Sequence, residues 1–335
     1  MSERKLLLKP AVMALNDLNL YYVTAACGDS QNVQSGQGET SLNRKELTAC
    51  EDSQNVQSGQ GETSLNRKEM TACGNSQNVQ SGQGETSLNR KELTVCEDGQ
   101  NAQSGKKAEK TAGTGAADTT LIGKGRPIVL VHGNGEDHHL FDTEIRQLAE
   151  AGFAVYAPDS RGHGKTTFVS DEPVTEYHYA DMAEDIYQFI KELGLKKPAL
   201  YGHSDGGIIA LLLEINHPGA LGIMAASGTN LSPQGLIPSF IEEYTEINKK
   251  EEDPLVTLML TEPHIDPESL KKIRIPVLVT AGDNDLILRS ETEKIAAALP
   301  DSEMVIVGNA DHGSYIVDSE IMGKLLLDFL QRRWP

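Results

Sequence analysis

The sequence has 335 residues, of which 30 are Lys or Arg and 49 are Asp or Glu, so its formal net charge at pH 7 is −19. This charge argues against nucleic acid or an anionic membrane surface as a partner, because both are themselves negative. No apolar run approaches the roughly 20 residues that a membrane-spanning helix needs. Lys9 and Pro10 interrupt the leucine run near the N-terminus, so no secretory signal is expected.

Residues 10–24 are typical of a β-hairpin. An apolar run at 11–15 is followed by Asn16 and Asp17, which have turn chemistry, and then by a second apolar run at 18–24. We therefore expect two short strands here, and we assign residues 1–25 to the folded domain.

A 23-residue repeat begins abruptly at Cys27. It recurs almost letter for letter from Cys50 and Cys73, and a degraded fourth copy starts at Cys96. No aromatic residue occurs from 27 to 118. So little apolar surface cannot offset an ordering entropy of about 1–2 kcal/mol per residue. Residues 26–118 are therefore predicted to form a disordered insertion.

The cysteines share the period of this repeat, and the rest of the chain has none. They were therefore copied with the unit, and their spacing is unlike that of a zinc site. We expect free thiols, a reducing cytoplasmic location, and neither a metal nor a cofactor.

From residue 119 onward, apolar runs of strand length alternate with helical patterns. This alternation predicts an α/β fold with a doubly wound, mostly parallel sheet. A capping box is expected to open a helix at Ser290, and Asp318 is expected to cap the last helix. The strand runs lie at 127–131, 153–157, 198–201, 221–226, 276–280 and 304–307.

Ser204 lies between Gly202 and Gly206, where a strand run gives way to an apolar helical run. A strand–turn–helix with this Gly-x-Ser-x-Gly pattern is the context of a nucleophile elbow. In so tight a turn, a side chain at either glycine would collide with neighbouring backbone. The helix N-terminus beneath the serine would favour an oxyanion. Taken alone, the pattern also fits a plain strand–helix turn.

Several separated motifs occur together with this elbow. The run HGNG at 132–135 resembles an oxyanion loop, and DSRGHG at 159–164 resembles the Asp-x-Arg-Gly-x-Gly turn that follows the next strand. The runs GDND at 282–285 and DHG at 311–313 each follow a strand. Jointly, these motifs resemble the α/β-hydrolase family, whose catalytic residues occur in the order Ser, Asp, His. The resemblance covers residues 119–335 and the hairpin at 10–24.

The resemblance implies a role for each motif residue. Ser204 would be the nucleophile, His312 the base that takes its proton, and Asp285 the acid that orients the imidazole. Asp283 competes for the acid position, but the family pattern places the acid three residues after the glycine.

The resemblance also implies an oxyanion hole and a lid. The backbone N–H groups of Asn134 and Asp205 would form the hole. The lid would be short, at about 228–274, with an apolar helical stripe that includes Phe240 and a second apolar patch that includes Leu258. Most of these side chains would pack the lid onto the domain, and a few would line an acyl pocket. We take Phe240 and Leu258 as candidate substrate contacts.

Asp205 is also a candidate substrate contact through its side chain. A carboxylate so near a developing negative charge would be unfavourable unless the substrate carried a cation, as in the resembling hydrolases that cut amino-acid esters. The alternative is that its side chain turns away and pairs with a nearby basic group or backbone donor.

The favoured function is a serine hydrolase that cuts small or medium carboxylic esters, with a small-molecule substrate and an acyl-enzyme intermediate. A second hypothesis keeps the triad and changes the bond, as in a C–C hydrolase, thioesterase, lactonase or perhydrolase. A third is a non-catalytic binding protein that retains the fold.

Overall fold

The computed structural model describes residues 4–29 and 125–334. Nearly all of the predicted insertion, with three of the four cysteines, lies outside these residues. The described residues contain nine strands and seven α-helices. The strands are β1 (Arg4–Leu15), β2 (Leu18–Asp29), β3 (Pro127–Val131), β4 (Ala154–Pro158), β5 (Thr167–Phe168), β6 (Ala199–His203), β7 (Ile223–Ser227), β8 (Val277–Gly282) and β9 (Ser302–Val307). The helices are α1 (Asp142–Glu150), α2 (Tyr179–Glu192), α3 (Asp205–Asn216), α4 (Pro238–Glu251), α5 (Pro254–Thr261), α6 (Arg289–Ala298) and α7 (Ile321–Arg333).

All nine strands form a single sheet with the order β1-β2-β4-β3-β6-β7-β8-β9, and the short β5 pairs with β2. From β4 to β9 every neighbouring pair is parallel, whereas β1, β2 and β5 make the antiparallel pairs. The predicted doubly wound, mostly parallel sheet is therefore confirmed.

Each face of the sheet carries its own apolar core. Alternate strand residues point to opposite faces, as the two-residue period of a strand requires. Val129 and Leu200 pack with α2, α3 and α6 on one face, while Ile128 and Tyr201 pack with α1 and α7 on the other. Because both faces are covered, β3, β4, β6, β7 and β8 are apolar along almost their whole length.

The N-terminal hairpin is longer than predicted. Its turn is at Asn16 and Asp17, as expected, but each strand has 12 residues and β2 continues to Asp29. The strand thus passes the predicted start of the insertion at residue 26. It continues because residues 26–29 pair with residues 4–7 of β1, which holds this part of the chain extended.

Two predicted helix caps are wrong. The helix expected to begin at Ser290 starts one residue earlier, so Ser290 is helical and no side chain caps that end. Asp318 lies outside α7, and the hydroxyl of Ser319 accepts the hydrogen bond from the N–H of Ile321 instead. A capping motif depends on the local path of the chain, which tertiary contacts can shift by one or two residues.

Two helices, α4 and α5, form the body of the lid region. The N–H of Ile237, just before α4, donates to the carbonyl of Leu286, and Asn248 of α4 donates to Thr257 of α5. Within the described chain, no helix combines the length and the apolar character needed to cross a membrane.

Candidate active site

The turn at Ser204 has the strained geometry of a nucleophile elbow. Ser204 has φ 53° and ψ −118°, in the region that favours glycine. A Cβ on Gly202 would lie 2.1 Å from the carbonyl oxygen of Gly206, and one on Gly206 would lie 1.9 Å from that of Val131. Both glycines are therefore required by close backbone approach, and the turn presents the serine at the carboxyl edge of the sheet.

His312 and Asp285 meet beside this turn. Nδ1 of His312 lies 2.6 Å from Oδ1 of Asp285. Oδ1 also accepts a hydrogen bond from the N–H of Ile287, and Oδ2 accepts one from the N–H of Gly282. Burial alone would raise the pKa of Asp285, but the hydrogen bond and charge of His312, with the two N–H groups, lower it. The alternative acid, Asp283, instead accepts from the N–H of Ala310.

Behind the His312 ring lie Gly228 and His203. The ring centroids of His203 and His312 are 4.6 Å apart, and His203 directly precedes Ser204 in the chain. Burial, and then the charge of His312, lower the pKa of His203 well below its usual value, so His203 is neutral and bonds to the hydroxyl of Ser227. A Cβ on Gly228 would lie only 2.6 Å from Cε1 of His312. These contacts restrict the position of the imidazole.

The loop predicted to form the oxyanion hole follows β3 and is braced by His132. Burial lowers the pKa of His132 to about 4, so it is neutral at pH 7. Its Nε2 accepts from the N–H of Ser160, and its Nδ1 therefore donates to the carbonyl of Gly133. Within the described residues, the backbone N–H groups of Asn134 and Asp205 donate to no protein acceptor. Both donors remain available to a ligand.

The side chain of Asp205 is buried and bonded to two neutral donors. The hydroxyl of Tyr179 donates to one carboxyl oxygen at 2.7 Å, and Nδ2 of Asn134 donates to the other at 3.1 Å. Burial raises the pKa of Asp205, and these two hydrogen bonds oppose the shift. Asn134 also donates to the carbonyl of Leu255 at 3.0 Å, so this network joins the elbow, the oxyanion loop and the lid. Tyr179 was not singled out from the sequence, because it lies in an ordinary amphipathic helix pattern.

Glu136 is a further carboxylate of the site that the sequence motifs did not indicate. Its Oε2 accepts a hydrogen bond from the N–H of Gly133 at 2.8 Å. Burial raises its pKa, while the Gly133 N–H and the charge of His312 act in the opposite direction. The available signal was its position directly after the run HGNG.

The two predicted lid contacts lie in different environments. Phe240 is half-buried on α4 and stacks on Tyr244, with ring centroids 4.2 Å apart. No residue of α4 is buried, although its inner stripe is apolar. Leu258 of α5 is only 2% exposed and belongs to the apolar core. Phe240 thus presents apolar surface, whereas Leu258 anchors the lid, and a substrate contact by either remains a prediction.

One group of side chains has the composition of a metal site. In the described part of the chain, Asp137, His138 and His139 each bring one potential ligand atom within 4.8 Å of the others. His138 already bonds to the carboxylate of Asp159, and Nδ1 of His139 lies 3.3 Å from the carboxyl oxygens of Asp142. We assign no metal to this group.

Comparisons with known proteins agree with this fold. The α/β-hydrolase fold family matches residues 126–242. The AB hydrolase superfamily protein YisY of Bacillus subtilis (strain 168) is 26% identical over 252 residues, which cover 62% of this chain and 92% of that protein. The 2-hydroxy-6-oxo-6-(2'-aminophenyl)hexa-2,4-dienoic acid hydrolase of Metapseudomonas resinovorans is 25% identical over 271 residues, covering 67% of this chain and 91% of that protein.

A solved structure is similar over the same region. The thermophilic esterase of Thermogutta terrifontis superposes with a TM-score of 0.51 at 21% identity, covering 64% of this chain and 92% of that one. This likeness concerns the fold alone. The chain has the α/β-hydrolase fold, and its sequence is similar to those of α/β-hydrolases over the regions given above.

Proposed function

We propose that the protein is a serine hydrolase that cuts small or medium carboxylic esters through an acyl-enzyme. The observation that carries this proposal is the 2.6 Å bond between His312 Nδ1 and Asp285 Oδ1, next to an elbow that holds Ser204 at positive φ. A serine hydroxyl is a weak nucleophile by itself, and an adjacent oriented base is what activates it.

In the acylation step, the Oγ of Ser204 bonds to the ester carbonyl carbon and its proton passes to Nε2 of His312. Asp285 accepts the Nδ1–H of His312, which selects the tautomer with a free Nε2 and stabilises the imidazolium that forms. The imidazolium then gives its proton to the departing alcohol oxygen. The carbonyl oxygen, negative in the tetrahedral intermediate, would accept hydrogen bonds from the N–H groups of Asn134 and Asp205.

The apolar stripe of α4 supports an ester with an apolar acyl group. None of its side chains is buried by the protein itself, so apolar surface such as that of Phe240 is available to a substrate. A small-molecule substrate of this kind needs neither a cofactor nor a metal for acyl transfer.

A second candidate uses the same triad on another bond. The similarity to the dienoic acid hydrolase of Metapseudomonas resinovorans supports it. Turnover of p-nitrophenyl butyrate, compared with turnover of a 2-hydroxy-6-oxo-dienoic acid followed by its absorbance, separates the two candidates. Turnover of neither would favour a non-catalytic binding protein.

The test of the nucleophile is the Ser204→Ala variant. We expect it to lose labelling by a fluorophosphonate probe and all measurable esterase activity, while Tm stays within a few degrees of the parent. Ser290→Ala, at an exposed serine on α6, is the matched control and should label like the parent. Labelling that persists in the Ser204→Ala variant would refute the assignment.

We also propose that Asp205 disfavours anionic substrates. Its hydrogen-bond donors, Tyr179 and Asn134, are neutral, so neither of them neutralises the carboxylate. Two charges about 6 Å apart interact by roughly 3 kcal/mol at an effective dielectric near 20. The parent should therefore rank matched esters as amine-bearing, then neutral, then carboxylate-bearing by kcat/KM, and Asp205→Asn should flatten this ranking. An unchanged ranking would remove Asp205 from substrate selection.

A further inference from the structure

The carboxylate of Glu136 lies directly beside the nucleophile. Measured from the point that a Cβ on Gly133 would occupy, Oε2 of Glu136 is 2.8 Å away and Cβ of Ser204 is 2.9 Å away. The charge of His312 also acts on this carboxylate. Because Nδ1 of His312 bonds to Asp285, Nε2 is the ring nitrogen that remains for the chemistry at Ser204.

The two oxygens of Glu136 have different surroundings. Oε2 is held by the N–H of Gly133 at 2.8 Å, which fixes the carboxylate against the oxyanion loop. Within the described residues, Oε1 makes no hydrogen bond, and it is not among the fully buried atoms that lack one. It is therefore an acceptor that solvent can reach, held in place through its partner oxygen.

A carboxylate at this position opposes the formation of an oxyanion, since both are negative. Its attraction for the His312 imidazolium acts in acylation and deacylation alike, so it favours neither step over the other. A role specific to one step needs a step in which a hydrogen-bond acceptor beside Ser204 is useful. Hydrolysis of the acyl-enzyme is such a step, because the attacking water has two O–H groups and the base takes only one proton.

We propose that Glu136 orients the water that hydrolyses the acyl-enzyme, an inference that rests on the proposed serine hydrolase function. One O–H of the water gives its proton to Nε2 of His312, and the other donates a hydrogen bond to Oε1 of Glu136. The water oxygen bonds to the acyl carbon, the bond from that carbon to Oγ of Ser204 breaks, and Oγ receives the proton from His312. Glu136 keeps its own protonation state throughout.

The first measurement is the pre-steady-state release of p-nitrophenol from p-nitrophenyl butyrate. In Glu136→Gln the amide oxygen can still accept from the Gly133 N–H, so the loop is retained while the charge is removed. We expect acylation at the parent rate or faster and deacylation slower by about tenfold or more. The variant should therefore show a burst of one equivalent and an acyl-enzyme detectable by intact mass. Glu172→Gln, at an exposed glutamate, should behave like the parent.

The second measurement is the partition of the acyl-enzyme between water and added methanol. Methanol has a single O–H, which His312 takes, so it has no hydrogen to donate to Glu136. Glu136→Gln should therefore lose hydrolysis but retain methanolysis, and the ratio of methyl ester to free acid should rise by about tenfold. A Glu136→Asp variant keeps the charge, but its side chain is one methylene shorter, so its oxygens do not reach the water. Its ratio of methyl ester to free acid should therefore rise as well.

The outcomes separate this inference from the proposed function. A parent that forms no acyl-enzyme overturns both. A parent that acylates, with a Glu136→Gln variant whose partition ratio is unchanged, overturns the role of Glu136 alone. Equal slowing of acylation and deacylation would assign Glu136 to loop structure, and a Glu136→Asp variant with the parent ratio would overturn the hydrogen-bond role.

Discussion

At the scale of single residues, Gly228 determines where the imidazole of His312 can lie. It has φ +55°, and a Cβ there would be 2.6 Å from Cε1 and 2.8 Å from Nδ1 of His312. We expect Gly228→Ala to displace the imidazole and to lower kcat about 100-fold, because a shift of about 1 Å in a reacting group has an effect of that size. Steady-state kinetics on a p-nitrophenyl ester measures the loss.

Gly219 provides the matched control for this substitution. Its φ is +85°, and a Cβ there would meet nothing within 4 Å. Gly219→Ala therefore introduces the same kind of backbone strain without a clash. If both variants lost activity equally, backbone strain and not displacement of His312 would be the cause.

Glu144 of α1 is a buried carboxyl group in the core. It is 0% exposed, and neither of its oxygens bonds to another described residue. Burial raises its pKa to about 8, which its own backbone N–H opposes only in part. Its neutral form is therefore the one that folding favours. The contribution of protonated Glu144 to the unfolding free energy is fully present below the pKa of this group in the unfolded chain, near 4.5. It is lost as pH rises through the folded-state pKa of about 8.

Glu144→Gln should remove this dependence on pH. Between pH 5 and pH 8 the unfolding free energy of the parent should fall by roughly 4 kcal/mol more than that of the variant. Urea unfolding at a series of pH values measures the difference. Glu150→Gln, at an exposed glutamate of the same helix, should keep the parent's slope. Parallel pH profiles for Glu144→Gln and the parent would show that Glu144 is ionised throughout.

At the scale of elements, the lid helix α4 is amphipathic but none of its residues is buried. An apolar stripe that the protein leaves partly uncovered is suited to contact with an acyl chain. Phe240→Ala should therefore lower the ratio of kcat/KM for p-nitrophenyl octanoate to that for the acetate by about fivefold, which corresponds to roughly 1 kcal/mol of lost apolar contact. The exposed Glu243→Ala on the same helix is the control. An unchanged ratio would mean that the acyl chain does not reach Phe240.

At the scale of the whole molecule, the chain leaves the sheet at β2 and returns at β3. Ala25 of β2 and Ile128 of β3 both pair with Val155 of β4, so they lie two strand spacings apart, about 10 Å. Since β2 runs antiparallel to β3, Asp29 and Gly125 extend past Val155 in the same direction. A four-residue linker, which spans about 13 Å when extended, can join them.

Replacing residues 30–124 with Gly-Ser-Gly-Ser should therefore preserve the fold and the activity. If the replaced segment is the unstructured loop that its composition predicts, the shorter connection reduces the entropic cost of closing the loop by about 3 kcal/mol. Tm should therefore rise. Thermal unfolding and ester turnover of the shortened protein test this. Failure to fold, or complete loss of turnover, would show that residues 30–124 contribute to the hydrolase domain.

Local patterns in the sequence were sufficient to predict the fold class. Apolar runs of strand length alternating with helical periodicity imply a parallel sheet covered on both faces, because no other arrangement buries all of them. The elbow at Ser204 was also predictable. Neighbouring backbone leaves no room for a side chain at Gly202 or Gly206. Both positions must therefore be glycine, and this is why the sequence shows a Gly-x-Ser-x-Gly pattern.

The tertiary structure alone decided which groups meet across the site. Asp283 and Asp285 follow the same strand, and only packing determined that Asp285 bonds to His312. The partners of Asp205 come from α2 and from the loop after β3, and Glu136 lies near Ser204 because its carboxylate bonds to the N–H of Gly133 in that loop. Such contacts join residues tens of positions apart or depend on one loop's exact path, so neither periodicity nor spacing records them. What a short stretch needs in order to fold is visible in its own residues, whereas what it touches is determined by the rest of the chain.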